Sequence, residues 1–230
     1  MFEDLHDHYV DFEFDMGKNI IVQNNDIESF KTFPLLTNES ISILLRIIET
    51  HKDKIQSNKR TANYIRGLGY HSSFIRDLCY HQEMLLYLQK ITGLDLVPHY
   101  LFSNIGHINI GLPNEKDVDD WHYDSVPYVL IILISEPENF TGGRLEYELD
   151  GHIQQVYFPI AGSAFFMKGS SIKHHVTRVC SGKRISLINS YIDKKNPHDE
   201  TILKTFEHEP CFSKEIKYRD KWFSFTNQTA

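Results

Sequence analysis

Trp121-His122-Tyr123-Asp124-Ser125-Val126-Pro127-Tyr128-Val129-Leu130-Ile131-Ile132-Leu133-Ile134 is the stretch from which the fold is read. From Val126 to Ile134 nearly every position apart from Tyr128 is apolar. A strand of that kind is buried on both faces and belongs in the middle of a layered β structure. At its head, His122 and Asp124 are two residues apart. On an extended chain they share a face, so one imidazole and one carboxylate can meet a single metal ion.

Beyond Ser135-Glu136-Pro137-Glu138 the chain turns at Gly142-Gly143 and alternates like a half-wet strand over Arg144 to Leu149. The Asp150-Gly151 turn leads to a strand at Ile153 to Phe158, and Pro159 with Gly162 leads to one at Ala164 to Met167. Short strands with regularly spaced Gly/Pro turns indicate a jelly roll. A second polar segment follows, His174-His175-Val176-Thr177-Arg178-Val179-Cys180-Ser181-Gly182-Lys183-Arg184-Ile185-Ser186. One of its histidines can complete a set of two imidazoles and one carboxylate, the donor set that suits non-haem Fe(II) with open positions. His174 and His175 face opposite ways on a strand, so only one of them points inward.

The order His122-x-Asp124, then a distal histidine, then Arg184-x-Ser186 about ten residues later resembles the Fe(II)/2-oxoglutarate-dependent oxygenases over roughly residues 105 to 192. The fold implied is mainly β with a helical buttress, a double-stranded β-helix (jelly roll, cupin-like). In that pattern the distal histidine is followed by x-Val-x-x-Val and by a glycine two before the arginine, which here reads His174, Val176, Val179, Gly182, Arg184 and favours His174 over His175. Arg178 stands where relatives often carry proline. The resemblance implies that His122, Asp124 and His174 hold Fe(II), and that 2-oxoglutarate and O2 are co-substrates. Arg184 and Ser186 would grip the remote carboxylate of 2-oxoglutarate, for which arginine's planar fork suits better than lysine. Asn109, on the strand before His122, is a candidate contact to 2-oxoglutarate or substrate; Tyr128 and Arg144 are candidate substrate contacts.

The rest of the chain is read as one domain over 1–230: a helical part at about 26–93, the jelly-roll core at about 94–192 and a C-terminal extension at 193–230. Residues 1 to 30 are acidic and aromatic, with strand-like pieces at Tyr9 to Phe14 and Asn19 to Val22; His6-Asp7-His8 is taken as a solvated terminal segment. A helix opens at Asn38-Glu39 and ends near Lys54, with Ile41, Leu44, Leu45, Ile47 and Ile48 as its core stripe. Ser57 to Gly69 reads as a loop, of the kind that often covers the mouth of a barrel, and solvated Arg60 and Arg66 are the favoured reading over that. Ser72 or Ser73 caps a second helical region that Gly93 closes. Leu94 to Pro98 and Phe102 to Ile110 read as strands, with His107 in a supporting or surface position. Residues 201 to 226 are amphipathic and aromatic.

The 230 residues carry a formal net charge of -7, so no basic face for a phosphate backbone is offered and nucleic acid is not the expected substrate. No apolar run reaches the roughly 18 residues of a spanning helix, and Met1-Phe2-Glu3-Asp4 lacks a basic leader, from which no membrane association and a cytoplasmic location are expected. Three scattered cysteines suit reduced thiols. Because Asp124 is a carboxylate and not a small residue that would admit halide, hydroxylation is the implied outcome. The substrate expected is a small metabolite or an amino-acid-like compound; a protein side chain of the prolyl type is the alternative. A reading of another class is a cupin-like metal-binding module without turnover.

Overall fold

The computed structural model describes residues 32–99, 101–114 and 116–196. The readings made for residues 1–30, including His6-Asp7-His8, and for 201–226 lie outside them. Along the chain come β1 (Phe33–Pro34), α1 (Asn38–Thr50), β2 (Tyr64–Ile65), α2 (Ser73–Tyr80), α3 (Gln82–Thr92), β3 (Leu96–Pro98), β4 (His107–Gly111), β5 (Asp119–His122) and β6 (Tyr128–Leu133). Then come β7 (Phe140–Gly142), β8 (Leu145–Leu149), β9 (His152–Val156), β10 (Ser163–Met167), β11 (His174–Val176), β12 (Val179–Gly182) and β13 (Arg184–Asp193). The strands pair antiparallel into a large sheet, β1-β10-β6-β13-β4-β2 with β3 added to β13, and a small sheet, β5-β11-β8-β9; β7 and β12 form a separate ribbon. This is the double-stranded β-helix, a jelly roll whose two sheets face each other with helices on the outside of the larger one.

Side-chain alternation builds both layers. Leu130 and Ile132 of β6, Ala164 and Phe166 of β10, Ile108 and Ile110 of β4, and Ile185 and Leu187 of β13 join the helices in one core. Their neighbours Val129, Ile131, Leu133, Phe165 and Met167 meet Leu145, Val156 and Val176 of the small sheet in another. The apolar run read from the sequence is therefore apolar on both faces because each face has a separate layer to bury against.

Helix α1 starts where expected, with Thr37 Oγ1 accepting from the Ser40 backbone N–H at 3.3 Å. The second helical region, read as one helix, is two. The chain becomes extended at His81 (ψ 124°), and Gly93 (φ 70°) closes the second piece. The buried residues explain the break. Phe74, Ile75, Leu78 and Cys79 are buried in α2, but the stripe in α3 is Met84, Leu88 and Ile91. Continuing the first stripe at helical spacing would reach Leu86, which is exposed. One straight helix cannot bury both stripes. Residues 102–104 form a short helical turn, so the strand read from Phe102 begins at His107. Among the described residues no helix is long and apolar enough to cross a membrane.

Leu187 lies in the middle of β13, between β4 and β6, and is fully buried toward the helices. Leu187→Ala is expected to cost about 2–5 kcal/mol of unfolding free energy. Urea melts should show a lower midpoint with an unchanged slope.

Candidate active site

Strands β5 and β11 pair so that His174 lies directly opposite His122. The rings are 4.3 Å apart, centroid to centroid. Each imidazole is turned by its own backbone: His122 Nδ1 is 2.7 Å from the Asp120 carbonyl and His174 Nδ1 is 2.9 Å from the Ile172 carbonyl. A carbonyl only accepts, so both Nδ1 atoms donate, and the neutral rings present their Nε2 lone pairs. Those two Nε2 atoms converge on Asp124, at 3.3 Å from Oδ1 and 3.5 Å from Oδ2. One ligand atom from each of the three residues fits within a 4.8 Å group. Two imidazole nitrogens with fixed tautomers and one carboxylate are a donor set that fits a divalent first-row metal.

The ionisation states of Asp124 and His174 agree with that use. Burial acts to raise the Asp124 carboxyl, but His174 and His122 beside it outweigh burial and hold it down at about 2. Burial lowers the pKa of His174, only partly opposed by Asp124. At His122 burial also lowers it, but the hydrogen bond to Asp124 and the charge of Asp119 more than offset this, and the net direction is upward.

Asp124 is held from behind: its backbone N–H donates to the Gly169 carbonyl at 3.0 Å. A Cβ built on Gly169 would stand 2.1 Å from Asp124 Oδ2. His175, on the opposite face of β11, points away from the cleft. It bridges Asp117 Oδ2 (3.2 Å) and Glu146 Oε2 (3.0 Å) and is stacked on Trp121 at 3.8 Å.

Arg184 opens β13 on the cleft side and is 1% exposed. Its Nη1 donates to Ser186 Oγ at 3.0 Å. Burial pushes its pKa down to about 10, which still leaves it charged at neutral pH. Among the described residues no carboxylate reaches it at ion-pair distance, and a buried cation in that state calls for an anionic partner. Its slot depends on glycine, since a Cβ on Gly143 (φ +59°) would meet Arg184 Cδ at 2.7 Å. Asn109 lies opposite Ser186 in register, with its side-chain oxygen buried and unpartnered.

His122, Asp124, His174, Arg184, Ser186 and Asn109 all line one cleft, which encloses about 720 Å³ of atom-free space including its mouth. Tyr128 and Arg144 do not. Tyr128 has the parity of the helix-facing residues of β6 and stacks on Phe166 at 5.9 Å, so Val129 and Ile131 occupy the cleft wall instead. Arg144 is exposed next to the inward-facing Leu145, and it is anchored through its backbone N–H to Thr177 Oγ1 at 2.8 Å. Conversely, Arg60, Arg66, His107 and Asp119 line the cleft although the sequence reading left them out or placed them outside. The pairing of β2 with β4 carries Arg66 over the cleft, and the Thr61–Asp119 bridge does so for Arg60. Asp119 is three before His122, and a shift in the β5–β11 register brings both to one cleft, so strand parity alone does not point to it.

No family model matches the chain, and no curated protein matches it by sequence. Solved structures match it in fold. A prolyl hydroxylase in complex with a hypoxia inducible factor oxygen degradation domain peptide, from Trichoplax adhaerens, has 11% identity, covers 74% of this chain and 85% of its own, and superposes at a TM-score of 0.56. The non-heme alpha ketoglutarate dependent carbocyclase SnoK from nogalamycin biosynthesis has 14% identity over 73% of this chain and 83% of its own, at a TM-score of 0.55. For a 2OG-Fe(II) oxygenase family oxidoreductase from Burkholderia pseudomallei, at 19% identity and a TM-score of 0.44, the match spans 53% of this chain and only 55% of that protein's length.

Gly169→Ala is expected to displace the Asp124 carboxylate and to weaken Mn(II) or Fe(II) binding about 10–100-fold, as loss of support around metal ligands does. Calorimetric titration with Mn(II) measures this, and circular dichroism should show the sheet content retained.

Proposed function

We propose that this chain is an Fe(II)- and 2-oxoglutarate-dependent oxygenase, organised as a single catalytic domain, that hydroxylates a small metabolite. The observation that supports this best is the sharing of one cleft by a His122–Asp124–His174 donor set and a buried Arg184 that no carboxylate among the described residues reaches at ion-pair distance. When bound, the iron and 2-oxoglutarate supply the oxidising chemistry, with O2 consumed and succinate and CO2 released.

The protein's own part is placement and charge. Asp124 stays anionic across the working pH range and gives the site one compensating negative charge. His122 and His174 offer Nε2 because their Nδ1 protons are committed to backbone carbonyls. Arg184, with Ser186 beside it, is suited to grip a carboxylate in a geometry that a lysine could not match. Asn109 adds an amide next to the same place. Val129, Ile131, Leu145 and Val176 line the wall and keep water from the reacting atoms.

The fold neighbours include both a peptide-bound prolyl hydroxylase and an enzyme of small-molecule biosynthesis. Fold therefore leaves the substrate to be argued from the cleft. A metal-binding module without turnover is disfavoured, because it has no use for a buried guanidinium, 1% exposed beside the metal residues, that no carboxylate among the described residues neutralises.

Iron titration of wild type, His122→Ala and His174→Ala checks the donor set: each variant should lose most of its Fe(II) affinity, while His175→Ala keeps it. Equal occupancy in all of them contradicts the assignment. Arg184→Ala should keep iron and raise the apparent constant for 2-oxoglutarate at least about 30-fold, corresponding to the lower end of about 2–5 kcal/mol for truncating one partner of a buried charge pair. An unchanged constant would mean that another cation holds the co-substrate.

A further inference from the structure

Asp119 lines the cleft without belonging to the set of donor atoms that converge there. It opens β5 three residues before His122, and residues three apart on a regular strand face opposite ways. The pairing with β11 removes that opposition. His122 stands opposite His174 and Asp119 opposite Val176, so three steps along β5 are matched by two along β11. An irregularity of this kind re-aims a side chain. Here it turns the Asp119 carboxylate to the side of His122.

The two oxygens of that carboxylate have different surroundings. Oδ1 accepts from Arg60 Nε at 3.0 Å and from Thr61 Oγ1 at 2.9 Å. Oδ2 lies 3.7 Å from His122 Nε2, the nitrogen whose lone pair is left for the metal when Nδ1 donates to the Asp120 carbonyl. Asp119 is 5% exposed, whereas the Arg60 side chain is 39% exposed. The pair therefore keeps its negative end inside the cleft and its positive end nearer solvent, where the cation is the better screened of the two.

The donor atoms that lie within 4.8 Å of one another are those of His122, Asp124 and His174. Asp119 is thus a neighbour of the metal position and not a ligand. Its charge nevertheless reaches across the site. Burial is the largest influence on His122, His174 and Arg184, acting to lower each pKa, and the charge of Asp119 opposes it in all three.

We propose that Asp119, held by Arg60 and Thr61, sets the electrostatic balance of the metal centre: its inner oxygen strengthens the hold on a divalent cation and restrains the anionic co-substrate bound beside it. This rests on the oxygenase reading above. A carboxylate close to both attracts the cation and repels the dianion by the same law, so removing its charge moves the two affinities in opposite directions. A site that must also release succinate gains from that restraint, because product release limits many turnover rates.

Anaerobic calorimetry on the full chain measures two constants, that of Mn(II) alone and that of 2-oxoglutarate at saturating Mn(II). Asp119→Asn keeps the shape of the side chain and an oxygen for Arg60 and Thr61, and removes only the charge. It should weaken Mn(II) about tenfold or more and tighten 2-oxoglutarate about threefold or more. Arg60→Gln, with Asp119 still held by Thr61, should tighten Mn(II) and weaken 2-oxoglutarate, which keeps the test decisive if Asp119→Asn does not fold. A purely structural role for Asp119 would lower both affinities together in Asp119→Asn. That result, an unchanged pair of constants, or weaker Mn(II) binding by Arg60→Gln overturns the inference. Failure of 2-oxoglutarate to bind the Mn(II)-loaded wild type would instead remove the oxygenase reading on which the inference stands.

Discussion

Side chains alternate across β13, and most of the cleft follows from that parity. Ile185 and Leu187 face the helices, so Arg184, Ser186, Ile188 and Ser190 face the small sheet. A slip of one residue against β4 and β6 would drive a guanidinium into the helical core and turn two aliphatic side chains toward the metal residues. The neighbours enforce the register: Ser186 stands opposite Asn109 on one side and Leu133 on the other. The same parity in β4 sends His107 and Asn109 into the cleft while Ile108 and Ile110 join the helices. One strand thus ties the packing of the outer layer to the chemistry of the inner one.

The small sheet contributes the second half of the site by a different device. β11 is three residues long, and its two adjacent histidines are used on opposite faces. His174 joins Asp124 and His122, while His175 is held between Asp117 and Glu146 with Trp121 stacked against it. The outer cluster anchors the strand that carries His174. Asp124 is placed by backbone instead, through the Gly169 carbonyl and the absence of a Cβ there. Charges buried in this way are costly unless matched. Asp124 is matched with two imidazoles, but among the described residues no carboxylate pairs with Arg184, an imbalance that fits the proposed binding of an anion.

What could be read from the sequence follows from how local each signal was. The His122-x-Asp124 spacing and the later His174 and Arg184 depend only on strand parity and chain order, and the structure draws those four residues to one cleft. Tyr128 was misplaced because a strand apolar on both faces carries no mark of which face is which; that depends on the layer it meets. Arg144 was misplaced for a different reason: the alternation over Arg144 to Leu149 marks a wet face, and Arg144 belongs to it, one position from the inward Leu145. Arg60 and Arg66 lie in a stretch with no periodicity, so nothing local distinguishes a solvated arginine from one carried over a cleft by pairing with β4 and β5. The break at His81 was legible in principle, in the phase jump between the apolar stripes of α2 and α3.

A fold shared by a prolyl hydroxylase and a carbocyclase leaves reaction and substrate to the residues inside it. In the function proposed, a metal is held by His122, Asp124 and His174, with a 2-oxo acid anchored by Arg184. Anaerobic titration of the Fe(II)-loaded protein with 2-oxoglutarate, followed by visible absorption, tests that claim most directly. A 2-oxo acid chelating protein-bound Fe(II) produces a charge-transfer band that requires both components. The account predicts a saturable band at one equivalent of iron; absence of the band, with iron bound and 2-oxoglutarate in excess, would contradict it.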